Sequence, residues 1–371
     1  MDIESIDLAC ATPGTRHSVQ VLRFGERGAA PKVYIQGALH ADEVPAILVA
    51  QALRTRLQAL EAAGRLRGEV VLVPSANPLG LSQIVLGQQL GRFDLQDGGN
   101  FNRGFPDLST PVIDAVRSQL TGDLQHNTHI VRQALRTAAA ALVPRNSTEE
   151  LKHRLLQLAV DADIVLDMHC DSDAVLHLYA LTPHSPMAQQ LGAALSARAV
   201  LLATESGGSP FDEACTRPWY TLQQQMPTVP VALACFAATI ELRGEADTSH
   251  AMAGQDAEGL LHFLHLQGVL TGAAPTLPDA LCQPTPLAAS EPITAPHAGV
   301  LVFHRKPGDQ VQAGDAIADL VHPASGAITT LHCESAGLVY ARCASRWAHA
   351  GKRLAKIAGN TLQRSGALLS P

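Results

Sequence analysis

A histidine and a glutamate that could hold a metal ion stand three residues apart in the sequence, at His40 and Glu43. An imidazole nitrogen and a carboxylate oxygen are two of the ligand types that zinc binds in a tetrahedral site. The apolar run at 32–35 predicts a strand before the pair, and the spacing of apolar residues from Val44 to about Leu60 predicts a helix after it. The pair therefore stands where a strand of an α/β sheet ends, and such sheets bind their ligands at that edge.

Two further polar side chains follow apolar runs later in the chain. His169 comes two residues after the run 163–167, and Glu241 lies near the end of the run 231–242. Strand ends converge on one edge of an α/β sheet, so we expect both side chains beside the first pair. Two histidines and one glutamate leave the fourth position on zinc for water. A second carboxylate, Glu241, can take the proton of that water and pass it to a leaving nitrogen.

The long polar loop predicted for residues 80–106 supplies candidate anion-binding groups. It contains Arg92 and ends in Asn-Phe-Asn-Arg-Gly-Phe-Pro, which includes Asn102 and Arg103. A loop of this length is usually functional or disordered, and the aromatic residues and the Asn-Arg pair argue against disorder. Arg103 or Arg92 can stabilise a developing oxyanion or bind a substrate carboxylate. Asp167 either orients the His169 ring or faces the site itself.

Five ordered motifs resemble the succinylglutamate desuccinylase/aspartoacylase family, which is related to zinc carboxypeptidases of the carboxypeptidase A type. They are Gly-x-x-His-x-x-Glu, Asn-Pro at 77–78, Asn-x-Asn-Arg-x-Phe-Pro, Asp-x-His and a late Thr-x-Glu, within roughly residues 30 to 270. The resemblance implies a zinc carboxypeptidase-like α/β fold, in which a mixed sheet carries helices on both faces. It also implies a deacylase that hydrolyses an amide bond.

The resemblance further implies which side chains bind zinc and which transfer the proton. His40, Glu43 and His169 would bind one zinc ion per chain. Glu241 would act as general base and then as general acid, and Arg92 would polarise the scissile carbonyl.

Three more residues are candidates for binding the substrate. By the same resemblance, Asn102 and Arg103 would bind the carboxylate of the substrate. Arg243 stands two residues after the catalytic glutamate and is a candidate for recognising an acidic group. The alternative for Arg243 is an ion pair with Glu245 or Asp247.

The composition of the chain changes after Gly272 and predicts a second, smaller unit. We expect a catalytic domain at 1–273 and a proline-rich linker at 274–290. Short apolar runs between glycine turns predict an all-β domain at 291–360, followed by a tail at 361–371. This domain resembles a biotinyl/lipoyl-like barrel-sandwich, but its candidate turns lack the lysine that such carriers modify. We therefore expect a structural unit or a wall over the active site.

The overall composition argues against several classes of protein. Hydrophobic residues make up 46% of the 371 residues, which allows a large core. A net charge of -7 without a long basic run argues against nucleic-acid binding. The acidic start differs from a signal peptide, and no apolar run is long enough to span a membrane. Seven cysteines without a Cys-x-x-Cys pair indicate reduced thiols, so we expect a cytoplasmic protein.

Three hypotheses about function follow from these observations. The first is a zinc-dependent amidohydrolase that removes an acyl group from an N-acyl amino acid or a similar small amide. The second is a carboxypeptidase-like hydrolase of small peptides or γ-glutamyl amides. The third is a metal-free binding protein that retains the fold. The first two predict about one zinc ion per chain, and the oligomeric state, including a homo-oligomer, is left open.

Overall fold

The computed structural model describes residues 1–9, 13–362, 364–366 and 368–369. The strands of the first part of the chain are β1 (Asp2–Leu8), β2 (His17–Phe24), β3 (Lys32–Gly37), β4 (Glu69–Val73), β5 (Ile84–Val85), β6 (Gln88–Gln89), β7 (Ile164–Asp171), β8 (Asp173–Ala174), β9 (His177–Leu181), β10 (Ala199–Ala203), β11 (Phe236–Gly244) and β12 (Pro284–Pro286). Nine of them form a mixed sheet in the order β1-β2-β4-β3-β7-β11-β9-β10-β12. The central strands β4, β3, β7 and β11 are parallel, so their carboxyl ends share one edge.

Helices cover both faces of this sheet, as the sequence predicts. They are α1 (Pro45–Ala62), α2 (Pro78–Leu81), α3 (Ser109–Val116), α4 (Leu124–Ala140), α5 (Ser147–Ala159), α6 (Ser185–Leu195), α7 (Phe211–Gln225) and α8 (His250–Leu266). One buried apolar cluster joins α1, α6 and α8 to the sheet. A second cluster joins α3, α4, α5 and α7 to the opposite face. The sheet is therefore buried between two apolar layers, which is the fold class expected from the sequence.

The structure confirms the hairpin expected at the start of the chain and corrects the N-cap expected for α5. Residues 3–24 alternate loosely between apolar and polar types, which predicts a hairpin. Strands β1 and β2 form this hairpin, although residues 10–12 lie outside the described part of the chain. Ser147 and Glu150 have the spacing of a capping box, which predicts Ser147 as the N-cap of α5. The N-cap is instead Asn146, whose side chain accepts a hydrogen bond of 2.8 Å from the Glu149 amide. Asparagine caps helices as well as serine does.

The polar composition of residues 205–218 predicts a second loop, and this prediction is wrong over its second half, where α7 begins at Phe211. Phe211, Cys215, Trp219 and Leu222 recur every three or four residues, and all four are buried against the sheet. This apolar face outweighs the polar composition of the segment, because tertiary packing supplies most of the stability of a helix.

The C-terminal region is all-β. Its strands are β13 (Ser290–Thr294), β14 (Gly299–Phe303), β15 (Gln310–Val311), β16 (Ala316–Val321), β17 (Ile328–His332), β18 (Gly337–Arg342), β19 (Trp347–Ala348) and β20 (Arg353–Ala358). They form two sheets, β13-β20-β18-β15 and β17-β16-β14-β19. The short strand β8 of the large α/β part pairs with β18, so the two parts share a sheet. The segment expected as a linker contains β12, which extends the large sheet beside β10.

The predicted division into four segments stays a prediction, and residues 363, 367, 370 and 371 of the expected tail lie outside the described residues. The cysteines that the structure describes are all free thiols. Among the described residues, no helix combines the length and the apolar character that crossing a membrane requires.

Candidate metal-dependent active site

The turn between β3 and α1 brings His40 and Glu43 to the carboxyl edge of the sheet. Strand β3 ends at Gly37, and the chain turns through Ala38, which has a φ of 56°. His169 lies on β7, the strand next to β3. One ligand atom from each of His40, Glu43 and His169 lies within 4.8 Å of the other two, and all three side chains are buried. The structure thus brings together the three residues that the sequence predicts as metal ligands.

The hydrogen bonds around this cluster orient both imidazole rings. Glu43 Oε1 lies 2.9 Å from His40 Nδ1, and Glu43 Oε2 lies 2.7 Å from His169 Nδ1. The far nitrogens face other oxygens, because His40 Nε2 lies 2.8 Å from Asn100 Oδ1 and His169 Nε2 lies 2.9 Å from Asp167 Oδ2. When Nδ1 binds a metal, the ring proton is on Nε2, where Asn100 Oδ1 and Asp167 Oδ2 can accept it. Two imidazole nitrogens and a carboxylate, aimed at one point, fit a catalytic zinc ion.

Burial and mutual charge shift the pKa values of the three side chains. Burial lowers the pKa of His40, more than Glu43 raises it. Burial alone would raise the pKa of Glu43, but the two histidines hold it well below its usual range. Burial likewise opposes the charged form of His169, but Asp167 and Glu43 raise its pKa well above the ordinary value. Glu43 is therefore an ionised carboxylate, which is the form that binds a metal.

Glu241 lies beside the candidate metal ligands in an environment that suits a proton-transfer group. On β11 it is the register partner of His169 on β7, and it lines the same cavity. Its Oε2 atom is shielded from solvent and has no hydrogen-bond partner among the described residues. Burial, together with the charge of Glu43, raises the pKa of Glu241 to about 8. A carboxyl with a pKa near neutrality can both accept and release a proton during a reaction.

Arg92 reaches the ligand cluster because the loop that carries it packs tightly under the turn that holds His40. The Gly91 carbonyl accepts a hydrogen bond of 3.0 Å from the Ala41 amide. A Cβ atom on Gly91 would stand 2.2 Å from the Asp42 nitrogen, so only glycine fits here. The guanidinium of Arg92 then donates to Glu43 Oε1 at 3.1 Å. The predicted polar loop is thus ordered, and its arginine lies at the site.

Asn102 and Arg103 also line the cavity, as the sequence predicts. The side chain of Asn102 already has partners, because its Oδ1 accepts from the Phe211 amide at 2.9 Å and its Nδ2 lies 3.2 Å from His169 Nε2. Asn102 therefore ties the start of α7 to the ligand cluster. Burial lowers the pKa of Arg103, but this residue is still a cation at neutral pH.

Arg243 is not brought to the cavity with the other predicted residues. It lies where the pairing of β11 with β7 is irregular, and its φ is 70°. Its guanidinium forms an ion pair with Asp256 on α8. The alternative pair with Glu245 or Asp247 is not formed, because the partner of Arg243 is Asp256. The register shift after Glu241, which directs the two side chains differently, could not be read from the sequence.

The sequence analysis missed several polar groups in or beside the cavity. Asp212 lines the cavity as the second residue of α7, and burial and the neighbouring Glu213 raise its pKa to about 7. Lys356, from β20, lines it too and forms a half-buried ion pair with Asp171 at the end of β7. No local signal could have found this pair, because 185 positions separate its members. Asn100 was part of a recognised motif, but its contact with His40 was not foreseen.

The C-terminal β unit forms one wall of the cavity. Arg342, Arg353 and Lys356 from this unit face the metal ligands across a cavity of about 330 Å³. The wall is held in place by the pairing of β18 with β8 and by the ion pair of Arg342 with Asp173 at 2.7 Å. Apolar packing supports it, since Leu201 of the large sheet lies in one buried cluster with residues of β18. A cavity of this size suits a small molecule.

Comparisons with known proteins agree with this geometry. The family model of the succinylglutamate desuccinylase/aspartoacylase catalytic domain matches residues 29–266. A candidate succinylglutamate desuccinylase/aspartoacylase family protein from Shewanella amazonensis SB2B is 29% identical, with a TM-score of 0.85, over 96% of this chain and 98% of that chain. A similarly described protein from Shewanella frigidimarina is 26% identical, with a TM-score of 0.86, over 97% of both chains.

A more distant solved structure shares the fold alone. The product-bound ectoine utilization protein EutE (DoeB) from Ruegeria pomeroyi is 18% identical, with a TM-score of 0.68, over 97% of this chain and 95% of that chain. None of the curated proteins that were searched matches the chain.

Proposed function

This chain belongs to the succinylglutamate desuccinylase/aspartoacylase family, and from that premise we propose that it is a zinc-dependent deacylase of N-acyl amino acids or similar small amides. One observation carries the proposal. The three candidate metal ligands His40, Glu43 and His169 share a small cavity with Glu241, whose Oε2 atom lacks a hydrogen-bond partner among the described residues. Three ligands and a separate proton acceptor are the groups that amide hydrolysis at zinc requires.

The proposed reaction divides the work among the side chains of the cavity. A zinc ion held by the triad would supply the positive charge that acidifies water and polarises a carbonyl group. Glu241 takes the proton of the attacking water and returns it to the amine as the carbon–nitrogen bond breaks. The raised pKa of this carboxyl makes it a good proton donor in the second step.

Two arginines bind and polarise the substrate in this proposal. Arg92 lies beside Glu43 and stabilises negative charge that develops on the carbonyl oxygen. Arg103 binds the carboxylate of the amino-acid part, because a guanidinium binds a carboxylate through two parallel hydrogen bonds. Asn102 holds the start of α7 beside this subsite through the Phe211 amide. Arg243 has no role in substrate binding, since it is paired with Asp256.

The wall formed by the C-terminal β unit favours a small substrate over a long peptide. The β unit is attached to the segment just after His169, through the pairing of β18 with β8 and through ion pairs to Asp171 and Asp173. A carboxypeptidase needs an open groove for the remainder of its peptide, whereas this cavity is closed on that side. The deacylase is therefore the better candidate, and a cytoplasmic location remains the expectation for it.

Amine release from a panel of substrates tests the proposal. The panel contains N-acetyl, N-succinyl and N-formyl amino acids and short peptides, with zinc-loaded protein and Glu241→Gln as the matched control. We expect release from one class of acyl amino acid and a loss of at least about 100-fold in the control. Release from peptides alone would replace the deacylase with the carboxypeptidase.

Metal analysis separates both enzymes from a metal-free binding protein. We expect about one zinc ion per chain in carefully purified protein, and a fall in zinc content when His169 is replaced by alanine. Protein that binds no zinc would overturn the proposal in both enzymatic forms.

A further inference from the structure

A chain of buried polar side chains leads away from the metal site into the core of the sheet. The hydroxyl of Tyr34 donates to Gln36 Oε1 at 2.7 Å, and Gln36 Nε2 donates to Asp167 Oδ1 at 2.8 Å. The other oxygen of Asp167 lies 2.9 Å from His169 Nε2. Tyr34, Gln36 and Asp167 are all 0% exposed. None of these residues except His169 can touch a substrate in the cavity, so the proposed reaction leaves them without a role.

The register of the sheet dictates this arrangement. Gln36 on β3 is the direct partner of Asp167 on β7, and Tyr34 precedes Gln36 by two residues. Side chains two residues apart on a strand share a face, so Tyr34 and Gln36 lie on one face of β3. By the same rule Asp167 and His169 lie on one face of β7. The four side chains therefore form a continuous row on the sheet face that α7 covers.

Buried polar atoms in such a row are kept only when they are satisfied, because an unpaired one costs about 1–3 kcal/mol. Asp167 Oδ1 accepts its hydrogen bond from Gln36. Asp167 Oδ2 has no aligned hydrogen-bond donor among the described residues and lies 2.9 Å from His169 Nε2, which Asn102 Nδ2 also approaches at 3.2 Å. Because an amide nitrogen cannot accept a proton, Asp167 Oδ2 is the one of these two atoms that can accept the imidazole N–H. The carboxylate is thus held from one side, with its second oxygen left to receive the imidazole N–H.

We propose that Gln36 and Tyr34 are positioning residues for the metal site: they fix Asp167 so that it accepts the Nε2 proton of His169 and leaves Nδ1 to bind the metal. The inference rests on the proposed function for the presence of the metal. Carboxylates that accept from a ligating histidine raise its basicity and fix its tautomer, and their loss typically weakens metal binding about 10–100-fold. Gln36 acts on that carboxylate directly through its hydrogen bond, and Tyr34 acts on it through Gln36.

Zinc affinity, measured by competition with a chromophoric chelator, tests the proposal without use of a substrate. We expect Gln36→Met, which keeps the shape of the side chain without its amide, to weaken zinc binding by about tenfold or more. Tyr34→Phe keeps the ring that packs on Phe211 at 5.7 Å and removes only the hydroxyl. Loss of one buried hydrogen bond predicts a smaller effect for it, about fivefold.

A double-mutant cycle with Asp167→Asn decides whether the two residues act through Asp167. In that background Gln36→Met should weaken zinc binding no further, because the carboxylate that it positions is gone. Additive effects of the two substitutions would overturn the proposal. The matched control is Tyr340→Phe, which removes another buried phenol hydroxyl, hydrogen-bonded to Ser290 at 2.9 Å in the β unit. It should lower the stability of the metal-free protein and leave zinc affinity unchanged.

The outcomes also separate this inference from the proposed function. If Tyr34→Phe and Gln36→Met both lower stability but leave zinc affinity unchanged, Tyr34 and Gln36 have only a structural role, and the proposal is refuted. Tight zinc binding by the wild type without any amide hydrolysis would refute the deacylase and leave the positioning role standing. Wild-type protein that binds no zinc would overturn both.

Discussion

Replacing Glu241 by glutamine should stabilise the metal-free protein, and by more at neutral pH than at acidic pH. Burial raises the pKa of this carboxyl from 4.5 to about 8 in the folded protein. The folded protein therefore binds a proton between these two values that the unfolded chain releases. The stability that this proton binding contributes is fully present below pH 4.5 and is lost as the pH rises toward 8. Glutamine does not titrate, so the variant escapes this loss.

The size of the effect follows from the two pKa values. At about 1.36 kcal/mol per pKa unit, the carboxyl destabilises the folded state by about 3 kcal/mol near pH 7 and about 1 kcal/mol near pH 5. The difference in unfolding free energy between the glutamine variant and the wild type should therefore be about 2 kcal/mol larger at pH 7 than at pH 5. The comparison of two pH values cancels any constant effect of the substitution on packing.

Urea unfolding in the presence of a chelator measures this difference. Trp219 is buried in the α/β core on α7 and reports the unfolding of the part that contains Glu241. The matched control is Glu26→Gln, which removes a carboxyl from an exposed position. Its stability curve should run parallel to that of the wild type. If the Glu241→Gln curve also ran parallel to it, the carboxyl would titrate normally, and the account of a buried proton-transfer group would fail.

Two further predictions concern buried groups near the cavity. Burial lowers the pKa of His177 to about 4, so the stability that the neutral imidazole contributes is present above pH 6.5 and is lost as the pH falls toward 4. In the same urea assay, His177→Asn should reduce the acid-induced loss of unfolding free energy by about 3 kcal/mol. A pH profile of stability that matches the wild type would contradict this. Lys356→Met leaves the half-buried carboxylate of Asp171 without its partner, so we expect a loss of about 1–3 kcal/mol in unfolding free energy. A variant as stable as the wild type would show that the ion pair contributes nothing.

Much of the fold could be predicted from the sequence because the spacing of apolar residues follows the periodicities of helices and strands. The apolar run at 32–35 and the helical spacing after Val44 mark β3 and α1, and both elements lie where they were expected. The polar loop at 205–218 misled the prediction, since the apolar face of α7 is spread thinly among polar residues. Its helical conformation depends on packing against the sheet, which composition does not reveal.

By itself, the sequence determined which residues meet at the candidate metal site. His40, Glu43 and His169 each stand near the end of an apolar strand, and parallel strands bring their carboxyl ends to one edge, so their convergence was predictable. The position of Glu241 followed from the same rule.

Only the tertiary structure decided how these residues are supported and enclosed. Strand register placed Gln36 opposite Asp167, and a register shift in β11 turned Arg243 toward Asp256. The docking of the β unit brought Lys356 into the cavity from the far end of the chain. Strand register and domain docking depend on contacts between distant segments, and a one-residue slip reverses the face of every side chain. Such contacts leave no local pattern in a single sequence, so these arrangements are seen only in the folded protein.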